Sequence, residues 1–294
     1  YFNAHPLSLP LIGALQPWQS TLMSIGLPGL VVLVLMFGVP EPRRERGAGG
    51  MPAPRAPGVP LAEVLAFLRA NRRTFVAVVA GIGFYNAAVY GSGAWVPTYL
   101  VREFAWSYAE AGMAMGLVMC VSSPLGVIAA SWLGEYWRRH GVANGNLRVA
   151  IIASLLLPLC ATPLLLAPSG ALALPFLALS AALWVCLFGI GPALIVEIAP
   201  APMRGQFIAL FTGALNLLGV GIGPLAIGII TDYVLADPGA IRYSILMVTL
   251  AACALACPLL LRARKTFQAT AVQAREWDSC RNATITPCNP REHS

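Results

Sequence analysis

The residue types that could do acid–base or metal chemistry are few in this chain. Its three histidines are His5, His140 and His293, its one lysine is Lys265, and its seven cysteines show no metal-ligand spacing. A His-Glu-x-x-His zinc pair and a Ser–His dyad are therefore excluded within the apolar parts of the chain. A buried Schiff-base lysine is excluded for the same reason. We expect no enzyme activity, no bound metal and no cofactor.

Carboxylates are confined to loops and to the ends of apolar runs. All 12 acidic residues follow this rule, and Glu110, Glu197 and Asp232 stand at three such ends. An ionisable side chain in the middle of a membrane span is costly, and where one occurs it marks an ion or proton pathway. The sequence therefore does not support a proton relay carried by this chain alone.

Neutral polar residues lie deep in two of the apolar runs. Asn86 stands in an aromatic stretch, residues 84–90 (Phe-Tyr-Asn-Ala-Ala-Val-Tyr), and Asn216 stands between two leucines. Each Asn is either a hydrogen-bonding contact between helices or part of the wall of a polar cavity. The aromatic neighbours would supply such a wall at Asn86, and both interpretations stay open. The candidates for a substrate cavity are Tyr85, Asn86, Tyr90, Trp95 and Asn216.

Glycine and proline interrupt several of the apolar runs. Residues 219–224 (Gly-Val-Gly-Ile-Gly-Pro) predict a weak point near the middle of one helix, because proline removes a backbone donor and glycine lowers helix stability. Two Gly-x-x-x-Gly pairs, starting at Gly112 and at Gly219, predict close helix contact. Bending and sliding helices are what alternating access requires. The candidate bending residues are Pro124, Pro192, Gly219, Gly223 and Pro224.

The elements that must position these residues are membrane-spanning helices. Only 11% of the 294 residues are charged, against roughly 25% in a soluble domain. Long runs carry no charge at all, and about 20 apolar residues are enough to cross the hydrocarbon core. The sequence therefore predicts an all-α membrane protein, a polytopic bundle of seven transmembrane helices. The predicted spans are 21–39, 75–100, 110–134, 149–167, 173–198, 207–231 and 243–261.

Lys and Arg fall almost entirely on one side of these spans. Loops 40–73, 135–148 and 199–206, together with the chain from residue 262 onward, hold 17 of the 19 basic residues. The positive-inside rule places that side in the cytoplasm, so the C-terminus is expected inside and the N-terminus outside. The net charge of +7 then reflects membrane topology, and we expect no nucleic-acid partner.

The sequence divides into four parts. Residues 1–39 hold one span and the remnant of an earlier helix, and residues 40–73 form a basic cytoplasmic linker that becomes helical near Leu61. Residues 74–261 are expected to form a six-helix transmembrane bundle. Residues 262–294 lose their apolar content and are expected to be a disordered cytoplasmic tail. Because no initiator Met opens the sequence, we expect a fragment or a processed chain.

Two segments carry a resemblance to a known family. The sequence resembles the tenth-to-eleventh helix region of the major facilitator superfamily in residues 197–205 (Glu-Ile-Ala-Pro-Ala-Pro-Met-Arg-Gly) and 231–233 (Thr-Asp-Tyr). It resembles the sixth helix and the start of the central loop of that family in residues 18–29 and 41–44. The resemblance covers residues 6–265 and is strongest to bacterial Spinster-like members.

The resemblance implies a particular assembly. Such carriers have twelve helices in two halves, and this chain would hold the sixth to the twelfth, the C-terminal half with one helix added. The substrate cavity lies between the halves, so this chain would supply one wall. In Spinster-like relatives the ionisable coupling residues lie largely in the half that is missing here. The implied partners are the lipid bilayer of a bacterial inner membrane, a small-molecule substrate, with proton coupling left open, and the missing N-terminal half.

One family motif maps onto single residues. The pattern Gly-x-x-x-Asp-Arg-x-Gly-Arg-Arg is similar to residues 131–139 (Ser-Trp-Leu-Gly-Glu-Tyr-Trp-Arg-Arg). Ser131, Glu135 and Tyr136 depart from it, which weakens the gating role that the resemblance implies.

The charges of this loop have two interpretations. In the first, Glu135 caps the helix that starts near Gly205, while Arg138 or Arg139 pairs with Glu197 as a gating latch. In the second, the arginines only enforce topology. The gating candidates are Glu135, Arg138, Arg139, Glu197 and Arg204.

The leading hypothesis is a secondary active transporter that moves a small organic solute or an amphiphile by alternating access. A seven-span receptor or signalling protein is the first alternative, although a receptor should not resemble half of a two-repeat carrier. A truncated, non-functional remnant is the second.

Overall fold

The computed structural model describes four stretches of the chain, residues 8–9, 13–39, 59–142 and 144–285. The chain divides into two compact units, Tyr1–Pro57 and Gly58–Ser294. Most of the predicted linker, residues 40–58, lies outside the described residues.

In the N-terminal unit, two short antiparallel strands precede one long helix. The strands are β1 (Ser8–Leu9) and β2 (Gly13–Ala14), and the helix is α1 (Pro17–Met36). Proline suits the first position of a helix, where a backbone N–H would have no partner. The large apolar side chains of α1 are exposed in the structure, which fits a helix that is surrounded by lipid or by other helices.

The second unit is helical throughout its described length. Its α-helices are α2 (Leu61–Ala70), α3 (Arg72–Phe104), α4 (Tyr108–Arg139), α5 (Gly145–Leu165), α6 (Gly170–Ile198), α7 (Arg204–Leu215), α8 (Gly223–Ile229) and α9 (Ile241–Ile285). Short segments of other helical geometry join them: the π-helical segments Asn216–Ile222 and Ile230–Val234, and the 3₁₀ turns Ala201–Met203 and Pro238–Ala240.

Seven helical segments of the described chain are long and apolar enough to cross a membrane. One of them is α1, and another is the continuous segment Ala201–Val234, which includes α7, α8 and both π-helical segments. The prediction of an all-α protein with seven transmembrane helices is confirmed. The helical start predicted near Leu61 corresponds to α2.

The core of the second unit forms around α3, which packs most extensively against α9. In the most apolar stretch of α3, 72% of the residues are buried. The hydroxyl of Tyr99 in α3 donates to the carbonyl of Leu164 in α5 at 3.0 Å, and the hydroxyl oxygens of Ser92 and Thr249 lie 3.3 Å apart. Such bonds satisfy polar groups for which hydrocarbon offers no partner.

The helix α4 and the segment Ala201–Val234 lie at the periphery, with 11% and 17% of their most apolar stretches buried. The close contact predicted at Gly112 and Gly116 is wrong, because a Cβ at either position would meet nothing within 4 Å. Instead, α4 approaches α6 through Gly126, where a Cβ would stand 2.1 Å from the carbonyl oxygen of Ala182. Gly112 and Gly116 have the Gly-x-x-x-Gly spacing, but they lie on a face of α4 that no described helix covers.

The expected disorder from residue 262 onward is wrong for residues 262–285, because α9 continues through them. Phe267 and Ala274 in this extension are buried at 1% and 3% exposure. Their seven-residue spacing places them on one helix face. This periodicity indicates a helix, although the average composition of the segment is polar. The carboxylate of Asp278 accepts the N–H of Ala201 at 3.0 Å, which ties the extension to the turn between α6 and α7. Residues 286–294 lie outside the described residues.

Candidate functional site

The predicted weak point coincides with a change in helix geometry. The structure has a π-helical segment at Asn216–Ile222, immediately before Pro224. The side-chain amide of Asn216 donates to the carbonyl of Thr212, four residues earlier, at 3.0 Å. A side chain that bonds this carbonyl competes with the backbone ladder and favours a local departure from α geometry. By contrast, α4 and α6 remain α-helical through Pro124 and Pro192.

The helix α3 packs closely against this π-helical segment through glycine. A Cβ on Gly223 would stand 2.4 Å from the carbonyl oxygen of Ala87, so the two backbones are in direct contact. A Cβ on Gly219 would stand 2.9 Å from Tyr90 and 3.1 Å from Asn86. The absence of side chains at these two glycines allows the close approach, as small residues do between membrane helices.

A hydrogen bond joins α3 to the same place. The indole Nε1–H of Trp95 donates to the carbonyl oxygen of Pro224 at 3.0 Å. This bond lies where the π-helical segment gives way to α8. We call the segment Ala201–Val234, with its π-helical stretches, the interrupted helix. It is the neighbour that Trp95, Tyr90 and Asn86 face, and these side chains do not line an enclosed cavity.

The five cavity candidates do not surround one space. Tyr85 is wrong as a cavity residue, because it is fully buried and its hydroxyl donates to the carbonyl of Leu183 in α6. Adjacent residues on a helix point about 100° apart, so Tyr85 and Asn86 cannot face the same neighbour. Asn86 is buried and Asn216 is exposed. Tyr90 is half-buried, and its ring lies edge-on to Phe188 with centroids 6.2 Å apart.

The charged residues at the other predicted site form different pairs from those expected. Glu135 accepts hydrogen bonds from Nε of both Arg138 and Arg139, each at 2.8 Å. The expected cap of Glu135 on the helix near Gly205 is therefore wrong. Among the described residues neither arginine forms an ion pair with Glu197, so the latch stays a prediction. Residues three and four positions apart on one helix are already neighbours, so the local pairs form without ordering a second element.

Glu197 has a neutral partner that the sequence analysis missed. Its Oε1 accepts a hydrogen bond from the amide of Asn146, in the first turn of α5, at 2.6 Å. Arg204 instead lies against its own turn, with Nε 3.4 Å from the carbonyl of Ala199. The sequence signal for Asn146 is its position, because it is a polar residue at the start of an apolar run.

A cavity of about 910 Å³ brings several of these groups together between α4, α5, α6 and α9. Its charged and amide lining residues are Glu135, Arg138, Asn144, Asn146, Glu197, Gln268 and Arg275. Arg139 and Arg204 do not line it. Since both signs of charge face the space, it suits a polar or zwitterionic group better than an apolar one.

The opposite ends of the helices carry few charges, and several of these make an ion pair or a hydrogen bond. Arg242 at the start of α9 forms an ion pair with Glu103 at the end of α3. Nη1 of Arg102 donates to the carbonyl of Pro238 at 2.9 Å. Glu110 accepts the N–H of Ser107 at 2.8 Å and so caps α4.

A sequence model described as Major Facilitator Superfamily matches residues 4–224. The chain belongs to the Major Facilitator Superfamily. Among the described residues, no group of three or more His, Cys, Asp and Glu side chains is placed to hold a metal ion.

Individual relatives in this superfamily are distant and longer. A protein named MFS-type efflux pump from Mycolicibacterium smegmatis is 27% identical over 172 residues, which is 58% of this chain and 39% of that protein. Two crystal structures of a bacterial homolog of the human lysosomal transporter Spinster, both inward-facing, one unoccupied and one occupied, match with TM-scores of 0.56 and 0.53 at 20% and 19% identity. Each match covers 90% of this chain. The chain spans 58% and 57% of the two solved chains. Because the identities are 20% and 19%, this likeness shows the fold alone.

Proposed function

We propose that this chain forms the sixth to twelfth helices of a secondary active transporter that moves a small organic solute or an amphiphile by alternating access. The observation that carries the proposal is the interrupted helix around Asn216–Ile222, packed through glycines against α3. Breaks at membrane depth are tolerated where neighbouring groups or a cavity satisfy the backbone. A helix that can bend there is suited to opening a pathway first on one side and then on the other.

The remaining helices of the carrier would cover the faces that the structure leaves open. The helix α4 and the segment Ala201–Val234 bury the smallest fractions of the six long segments in the second unit. The relatives named above are longer than this chain. Both observations support five further helices that would complete the substrate cavity against the exposed side of Asn216.

The proposed orientation places the C-terminus in the cytoplasm of a bacterial inner membrane. It is supported by the 17 basic residues on that side and by the pairing of Arg242 with Glu103 on the other. Coupling to protons, if the carrier is a symporter, would use ionisable groups outside this chain, since its own acids stand at span ends.

Alternating access can be tested without knowing the substrate. Asn216→Cys, in the full-length carrier with its native cysteines replaced, should react with a membrane-impermeant thiol reagent, because water enters the cavity that Asn216 faces. Leu159→Cys, on α5 and 68% exposed, is the matched control and should stay unreactive in lipid. Locking the carrier open to one side by a cross-link should restrict the reaction of Asn216→Cys to that side. Equal reactivity of the two cysteines from both sides would refute the proposal.

A further inference from the structure

A second cavity, of about 410 Å³, lies where α2 ends, α3 begins and α9 passes. It is distinct from the interrupted helix and from the 910 Å³ cavity. Its basic and hydroxyl-bearing lining residues are Arg69, Arg72, Arg73, Thr74, Thr266 and Thr270. Three arginines within five residues therefore line one small space.

No acidic side chain of the described residues pairs with the positive charge of this cavity. Among the described residues, none of the three arginines forms an ion pair, and all three side chains are exposed. The first turn of α3 holds no acidic residue, and the side chain of Asn71 caps none of its N–H groups. The positive end of a 33-residue helix dipole thus adds to the charge of the arginines.

The floor of the cavity is polar and fixed. Oγ1 of Thr74, at 1% exposure, lies 2.7 Å from Oγ1 of Thr266 and 2.8 Å from Oγ1 of Thr270. These bonds hold α3 to α9 directly beneath the arginines. The threonine hydroxyls donate within the chain, Thr74 to Thr266 and the other two to backbone carbonyls of α9. The guanidinium groups are therefore the donors that the cavity offers to an anion.

We propose that this cavity binds a phosphate-bearing group. Arginine donates two parallel N–H bonds to phosphate oxygens, and several arginines together select a group of high negative charge. Arg73 directly precedes the charge-free run 74–101, so the cavity lies at the depth where a span meets the headgroup layer. The phosphate belongs either to a phospholipid headgroup or to a soluble phosphate ester, since both present the same oxygens.

The test measures binding of phosphatidylglycerol to the purified, delipidated chain by native mass spectrometry. Each of Arg69→Gln, Arg72→Gln and Arg73→Gln should weaken binding about fivefold, because each basic residue near an anionic lipid contributes on the order of 1 kcal/mol. If the three contributions add, the triple change should weaken binding on the order of a hundredfold. The matched control replaces Arg262, Arg264 and Lys265 by Gln, three basic residues of α9 that do not line the cavity. It should change the affinity less than about twofold.

Two further arms identify the source of the phosphate. Diacylglycerol, which lacks phosphate, should bind the wild type and the variants equally. Glycerol 3-phosphate in excess should displace the lipid if a soluble ester fills the cavity, and should leave it bound if the lipid is the natural occupant. Either result supports a phosphate site. Unchanged lipid affinity in all three single variants, or an equal loss in the α9 control, would overturn the proposal.

Discussion

At the scale of single residues, Trp95 shows how a polar group is accommodated within a membrane helix. Its indole N–H donates to the carbonyl of Pro224, so neither group needs water. A carbonyl oxygen has two lone pairs and can accept this bond in addition to its helical partner. The bond therefore links α3 to the interrupted helix without breaking the backbone ladder of α8.

Removing this donor should weaken the second unit by a small amount. We expect Trp95→Phe to lower the free energy of unfolding in mixed micelles by about 1 kcal/mol, the range of interhelical hydrogen bonds in membranes. Trp132→Phe is the control, because Trp132 is 64% exposed on α4 and stacks on Tyr136 of its own helix. An equal effect of the two changes would mean that the hydrogen bond contributes nothing.

The charged residues of the predicted latch could be found from the sequence, but their partners could not. Glu135, Arg138 and Glu197 do line one cavity, as their positions at span ends suggested. Which atoms meet depends on distances of a few ångström between helices, and sequence spacing fixes these only within one helix. The pairs that Glu135 forms on α4 are of this local kind and agree with its spacing from Arg138 and Arg139. The neutral partner of Glu197, Asn146, lies on another helix and could not be predicted from spacing.

At the scale of elements, the contact of α3 with the π-helical segment and the start of α8 depends on which glycine faces the neighbour. We expect Gly223→Ala to destabilise the second unit by about 1–3 kcal/mol, because its new methyl group would collide with the carbonyl of Ala87. Gly221→Ala is the matched control, since its Cβ would meet only the carbonyl of Asn216 at 3.8 Å. It should be neutral or slightly stabilising, because alanine favours a helix over glycine.

Thermal unfolding of the two variants in the same detergent compares these effects directly. A lower midpoint for Gly221→Ala than for Gly223→Ala would show that the structure assigns the wrong glycine to the contact. The sequence predicted close contact for Gly112 and Gly219 alike, because spacing alone cannot tell which face of a helix has a neighbour.

The extension of α9 through residues 262–285 is a second element for which composition gave the wrong prediction. Asp278→Ala should release the turn Ala201–Met203 and increase amide exchange at Ala201 on the order of tenfold, since hydrogen bonds to charged groups contribute about 1.5–3 kcal/mol. Glu276→Ala, an exposed acid two residues earlier on the same helix, is the control and should leave that exchange unchanged. Equal exchange in both variants would show that Asp278 does not hold the turn.

At the scale of the whole molecule, the number and position of the helices follow from the sequence because the bilayer imposes them. Each span needs a long apolar run, and such runs are visible without any knowledge of packing. The span predicted at residues 207–231, with a weak point near Gly219, corresponds to the segment Ala201–Val234, and the structure has π-helical geometry near that point. The central position of α3 could not be predicted, because hydropathy shows which segments can span the membrane but not which helices pack against one another.

The direction in which the helices cross the membrane is the remaining whole-molecule prediction, and α4 tests it with its two ends. His140 follows its last turn, beside Arg138 and Arg139, and Tyr108 opens its first turn at 77% exposure. We expect His140→Cys to face the cytoplasm, because the basic residues of that loop resist transfer across the membrane. Tyr108→Cys should face outward, on the side where Arg242 pairs with Glu103.

A membrane-impermeant maleimide applied to intact cells, in a background without the native cysteines, distinguishes the two positions. Tyr108→Cys should react at once, whereas His140→Cys should react only after the inner membrane is permeabilised. Because α4 is one continuous helix, its ends must lie on opposite sides if it spans the bilayer, so the two results check each other. Labelling of both positions in intact cells would show that α4 does not cross the membrane, and the reverse pattern would invert the proposed topology of the entire chain.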